Sequence, residues 1–254
     1  IVGLFVFTFG IYWPLLRLGF FSDDFDFLWT SHVATTPWSV FVTNIIGTKI
    51  GSSYGPLLNL WLFVHERLFG LHAVWYHLTN ILLHAGNSIL VYLLGKKLSR
   101  EKWPALLAAV LFIVLPNRTE VVAWVAAVPH LLGTFFYLLA ALFLVSFLET
   151  KKWWQYGLAI VAMSASLLSK EVGITFLAIW GLLILFYLKE IELGKKEKWR
   201  TYGKIFLKML GLLFLPTLLL GGYLYLRLQA TGYVAGYYGN THLSFNWSVS
   251  QFTL

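Results

Sequence analysis

Long apolar runs, each punctuated by a few charged or turn-forming positions, carry the whole 254-residue chain. A spanning helix needs about 20 mainly apolar residues. On that measure the pattern predicts a helical membrane module with helices at about 1–16, 73–95, 103–116, 121–148, 153–169, 172–188 and 203–228. The third run is short for a full span. The fourth is long and carries Pro129, which predicts a kink or an interfacial start. A long first loop, 17–72, contains a segment at about 56–70 whose mixed polarity suits a helix lying in the interface. A polar, aromatic tail occupies 229–254. No repeat or low-complexity stretch interrupts the pattern, so 1–254 reads as a single membrane domain. Its apolar start without Met marks it as a fragment of a longer chain.

Composition supports this reading. Hydrophobic residues make up 59% of the chain and charged residues 12%, where soluble domains have about half and about a quarter. The fold class is therefore an all-α polytopic membrane protein. Trp 12, Tyr 13 and Phe 21 suit aromatic belts at two membrane interfaces. The absence of cysteine removes disulfides, thiolate catalysis and zinc clusters. A net charge of +8 could signal nucleic acid, but the charges sit in short loops, where they set topology instead. No nucleic-acid partner is expected.

Lys and Arg fix the expected orientation. Lys96, Lys97, Arg100 and Lys102, then Lys151 and Lys152, then Lys189, Lys195, Lys196, Lys198, Arg200, Lys204 and Lys208 fall on one side. That side is cytoplasmic by the positive-inside rule, which puts the long first loop outside. Glu101, Glu149, Glu190, Glu192 and Glu197 lie among the lysines as charge balance. Asp23, Asp24, Asp26, Glu66, Glu120 and Glu171 gather on the outer side from four segments, and they read as one pocket.

Three constellations there could carry chemistry. The first is Ser22-Asp23-Asp24-Phe25-Asp26 between phenylalanines. Carboxylates near hydrocarbon mark sites more often than structure, although Ser22 or Asp23 could simply cap a short helix. The second is the turn Pro116-Asn117-Arg118-Thr119-Glu120. Its Glu120 suits metal binding or acceptor positioning, or merely favours a helix dipole. The third is Ser169-Lys170-Glu171, where Lys170 is a candidate phosphate ligand or a plain partner of Glu171. His77 and His84 share a helix face with Asn80, as an interhelical hydrogen-bond seam would. His130, beside Pro129, could reach the outer pocket.

These residues resemble a family. An apolar helix, an acidic pair in the first outer loop and then an interfacial helix resemble the GT-C glycosyltransferases. Tyr54-Gly55-Pro56-Leu57, His77 to His84, Pro116 to Ala123, and Leu168-Ser169-Lys170-Glu171-Val172-Gly173-Ile174-Thr175 are similar to one branch. That branch is the transmembrane O-mannosyltransferases targeting cadherins, with their prokaryotic relatives that carry tetratricopeptide repeats. The likeness runs from about 20 to 180. Departures are Gly55 where the family has Arg, Leu115 and Arg118 where it has His, and the positions around Val128 and His130.

The resemblance implies a GT-C N-terminal module of about seven transmembrane helices with the first outer loop folded over the site. It implies an inverting hexosyltransferase that moves a mannose-like sugar from a polyprenyl-phosphate donor to a protein or glycan hydroxyl. Asp23 or Asp24 would be the general base and Glu120, with His130, the second acidic or acceptor position. Lys170, Glu171, Arg118 and Arg227 would face the donor phosphate. No cofactor is expected; a divalent cation between the acidic pair and Glu120 is possible but not favoured, and no metal ligands are assigned. The expected place is a bacterial or archaeal plasma membrane, or the endoplasmic reticulum if eukaryotic, with the site facing outward. The alternative is a secondary transporter or lipid-linked sugar carrier using the outer acids. Transporters put such charges near the bilayer midplane, whereas these sit at helix exits.

Overall fold

The computed structural model describes residues 1–33, 41, 53–192 and 198–232, and the side chains of all these except 188–192 and 198–202. Among the described residues every regular element is helical. In chain order these are α1 (Val2–Tyr12, continued by a 3-10 turn Trp13–Arg17), α2 (Asp24–Val33), α3 (Pro56–Phe69), α4 (Ala73–Ser99) and α5 (Lys102–Val114). After them come α6 (Asn117–Ala123), α7 (Val128–Thr150), α8 (Trp153–Ser169), α9 (Phe176–Glu192) and α10 (Lys198–Thr231). The tail from 233 and much of the first loop lie outside the described residues.

By length and apolarity, Ala73–Ser99, Val125–Thr150 and Gly203–Thr231 can cross a membrane. The bent pair α5–α6 makes a fourth if counted as one span, and Val2–Arg17 and Glu171–Tyr187 are shorter apolar helices. Among the described residues, these three or four of the helices expected from the apolar runs are long enough to span on their own. The 27 residues of α4 rise about 40 Å, which exceeds the roughly 30 Å hydrocarbon layer. The architecture is an all-α membrane protein.

Three apolar clusters hold the bundle. Leu144, Leu148, Met163, Leu167, Trp180 and Ile184 join α7, α8 and α9, with Ile205 and Tyr223 of α10. Leu4, Ile81, Ala109, Ile113 and Leu131 join α1, α4, α5 and α7. Leu28, Leu58, Leu62, Tyr76, Val128 and Leu132 seat α2 and α3 on the ends of α4 and α7.

The run over 121–148, expected to be kinked or to begin as an interfacial segment, is broken. Leu115, held extended ahead of Pro116, ends α5 as the clash with a proline ring requires, and α6 turns away by 63°. Trp124 is again extended, and a 3-10 turn, Val125–Ala127, leads into α7. Pro129 stands in the first turn of α7, where its missing N–H breaks no hydrogen bond. It starts the helix rather than bending it.

Such breaks strand backbone groups that apolar surroundings cannot satisfy, and side chains take them up. Tyr12 donates its hydroxyl to the Ile113 carbonyl at 2.7 Å. Asn80 donates to the Val122 carbonyl at 3.2 Å, and away from the breaks Asn87 donates to the Leu131 carbonyl within α7 at 3.0 Å. The Ala126 N–H donates to Asp24 at 2.7 Å. The polar face of α4 is thus a hydrogen-bond seam through its asparagines, while buried His84 packs edge-on to Tyr12 at 5.1 Å.

Candidate functional site

Asp23 and Asp24 are adjacent in sequence and opposite in circumstance. Ser22 takes a left-handed backbone, φ 52°, so the chain turns sharply and α2 starts at Asp24. Asp24 is fully buried. Its two oxygens accept the backbone N–H groups of Ala126 at 2.7 Å and Phe21 at 3.1 Å. Burial holds its carboxyl above the usual carboxylate range, against these two hydrogen bonds and the nearby His77. Asp23 is exposed and meets the Ser22 hydroxyl at 3.2 Å. Phe21 stacks on Trp124, so the acidic loop is clamped to the α6–α7 break at two points.

A cavity of about 180 Å³ opens between α7, the end of α8 and the following turn, with His130, Tyr137, Ser166, Lys170 and Thr175 among its walls. Lys170 stands at the C-terminal end of α8 in extended backbone. Two glycines allow the close approach. A Cβ on Gly133 would lie 3.3 Å from that of Lys170, and one on Gly173 would strike the Leu167 backbone at 3.0 Å. Tyr137 and Thr175 share a hydroxyl contact at 3.3 Å across the cavity mouth. His130 lies within electrostatic range of Lys170 and Glu171 from the third constellation and of Arg118 and Glu120 from the second. Arg118 lies over Phe112, 5.0 Å from ring centre to guanidinium, and Glu120 is exposed.

The six acids do not act as one pocket. Glu171 pairs with the buried Arg227 of α10, not with its neighbour Lys170. Buried Glu66 bridges His32 of α2 at 2.8 Å and Arg67 at 3.3 Å, tying the loop helices together. Tyr54-Gly55-Pro56 docks on the Ser169 turn. A Cβ on Gly55 would come within 3.1 Å of the Ser169 carbonyl, and Tyr54 packs on Tyr223. Among the described residues no three His, Asp or Glu side chains gather as a metal site would need.

Three wall residues, Gly133, Thr134 and Tyr137, were missed in the sequence. With the expected His130 they form an i, i+3, i+4, i+7 stripe on α7, a periodicity that marks one helix face. Asn87 continues the α4 seam by the same spacing from Asn80.

A family model described as dolichyl-phosphate-mannose-protein mannosyltransferase matches residues 36–231. Among curated relatives, protein O-mannosyl-transferase TMTC2 of Mus musculus is 30% identical over 85% of this chain and 28% of its own length. Protein O-mannosyl-transferase TMTC4 of Homo sapiens is 33% identical over 71% and 29%. Protein O-mannosyl-transferase Tmtc1 of Drosophila melanogaster is 29% identical over 72% and 22%. The chain spans less than a third of the length of these relatives. They are animal proteins, and they lend no support to the bacterial or archaeal membrane expected from the sequence. No solved structure is a significant match.

Proposed function

The chain belongs to the dolichyl-phosphate-mannose-protein mannosyltransferase family, and from that premise we propose that it is the catalytic module of a GT-C transferase. It moves mannose from a polyprenyl-phosphate donor to a protein hydroxyl on the extracytoplasmic face. The observation that carries this reading is that His130 and Lys170 line one cavity, within electrostatic range of Glu171, Arg118 and Glu120. An exposed carboxylate, Asp23, is held at the α6–α7 break through its buried neighbour Asp24.

The roles follow from what each group is free to do. Both oxygens of Asp24 are engaged by backbone N–H groups, so it positions the loop. Asp23 has an exposed carboxylate and takes the acceptor proton as the hydroxyl oxygen bonds to the anomeric carbon. The bond from that carbon to the phosphate oxygen breaks, and the donor leaves as a charged phosphate monoester. Lys170 and Arg118 meet that developing charge, where fixed cations in a dry site act most strongly. Arg227, held by Glu171, braces the Ser-Lys-Glu turn beneath the phosphate. Glu120 and His130 orient the acceptor. Turnover is expected to persist in EDTA.

The test is mannose transfer by membranes containing the full-length protein, supplied with labelled polyprenyl-phosphate mannose. Asp23→Asn should cost about 10²–10⁴-fold in rate at unchanged membrane level and donor binding. Asp24→Asn should lower the folded amount along with activity. Transfer indifferent to Asp23→Asn, or donor movement across the bilayer without transfer, would overturn the assignment and favour the carrier reading.

A further inference from the structure

At the Lys-rich end, the finish of α7, the start of α8 and the middle of α10 leave a second cavity, about 540 Å³. Lys151 and Lys208 line it, together with Phe147, Trp153, Tyr156 and Leu212. It shares no residue with the His130 cavity. Ser169, beside that first cavity, lies about 24 Å along α8 from Trp153 by helical rise. Both lysines are exposed at its rim, and partial burial and then the nearby Lys208 ammonium pull Lys151 below the usual lysine range. The adjacent Glu149 is engaged by Lys97.

The walls are apolar and fixed. The rings of Phe147, Trp153 and Tyr156 pack with centroids 5.0, 5.3 and 5.8 Å apart. The Tyr156 hydroxyl donates to the Leu212 carbonyl at 2.7 Å, pinning α8 to α10. Gly211 leaves the groove open, since a Cβ there would touch nothing within 4 Å. Two cations above an aromatic rim and an apolar trough match an amphiphile with an anionic head. Basic pockets between membrane helices recognise lipid headgroups in this way, and Trp and Tyr sit at headgroup level. A free anion would leave the trough unused.

We propose that this cavity binds one anionic glycerophospholipid, its phosphate between Lys151 and Lys208 and an acyl chain along the groove beside Leu212 and Gly211. The site is separate from the donor site and does not depend on the transferase reading.

Full-length protein in nanodiscs of phosphatidylcholine doped with phosphatidylglycerol, examined by native mass spectrometry, tests it. A single phosphatidylglycerol should be retained over phosphatidylcholine by roughly twenty-fold, at about five-fold per lysine. Lys151→Gln with Lys208→Gln should abolish the preference. Gly211→Leu, which fills the groove and keeps both charges, should also expel the lipid. Lys152→Gln, at a neighbour that does not line the cavity, should leave retention intact. Thermal unfolding in pure phosphatidylcholine checks that each variant is folded. Retention that survives both Gly211→Leu and the double substitution would overturn the site, as would equal loss in Lys152→Gln. Displacement of the lipid by millimolar inorganic phosphate would overturn the lipid assignment in favour of a free anion.

Discussion

At the acidic end the backbone is interrupted at Leu115 and again at Trp124, whereas toward the Lys-rich end α7 runs unbroken to Thr150 and α8 resumes at Trp153. Each interruption needs a donor or acceptor from elsewhere, and Tyr12, Asn80 and Asp24 supply them. The α7 and α8 segments at the other end need none and pack through Leu144, Leu148 and Met163, and the one carbonyl that Pro216 frees nearby in α10, that of Leu212, takes the Tyr156 hydroxyl. Polar side chains are therefore concentrated where the helices fail, and the candidate chemistry sits among them. The broken end gains reactive groups at the cost of many obligatory hydrogen bonds. The continuous end gains rigidity and keeps only its rim charged.

Substitutions that strike the two ends differently can break or sharpen this comparison. The largest effect expected is on rate, from Asp23→Asn, because its carboxylate has no structural duty beyond the Ser22 contact. Next is Glu171→Gln, which leaves the Arg227 guanidinium buried without its carboxylate. Losing one member of a buried pair costs about 3–5 kcal/mol, read as a fall in unfolding midpoint. Adding Arg227→Met should recover much of it. Gly173→Ala presses a Cβ onto the Leu167 backbone, and overpacking of this kind costs about 1–3 kcal/mol. If α8 and the following turn shift freely instead, the loss will vanish.

Asn80→Ala and Asn87→Ala each remove one interhelical hydrogen bond, worth about 0.6 kcal/mol in membrane proteins. A loss several times larger at Asn80 alone would mean that the α6–α7 break depends on that single bond. The smallest effect concerns pH. Burial pulls His65 down, although its ring meets the Trp61 carbonyl. The fold therefore holds the neutral ring. Its contribution is complete above the ordinary imidazole range and declines as pH falls toward the folded value. His65→Gln should flatten the acid limb of the unfolding midpoint.

The fold class was legible in the sequence because apolar runs the length of α4, α7 and α10 have no soluble alternative. The break at Trp124 was not, since Val121 to Val128 reads as apolar throughout and the interruption is held by side chains from α4 and α2. At the site, the Ser-Lys-Glu turn and His130 stood out as polar residues in apolar surroundings. The partner of Glu171 did not. Arg227 lies 56 positions away with no periodic link, and its neighbour Lys170 was the more obvious choice. Nor could charge alone divide Asp23 from Asp24, because which of two adjacent acids turns inward depends on the left-handed bend at Ser22.

The bond between Asp24 and Ala126 spans 102 positions of chain, so it also sets an order of events during synthesis. At about 5–20 residues per second, the acidic loop leaves the ribosome roughly 5–20 s before the amide that will receive it. Throughout that interval the carboxylate must be hydrated or held by another protein, because nothing already translated offers the Ala126 N–H. Nascent chains arrested before Val125 should therefore leave the loop open to protease, and chains arrested after α7 should close it.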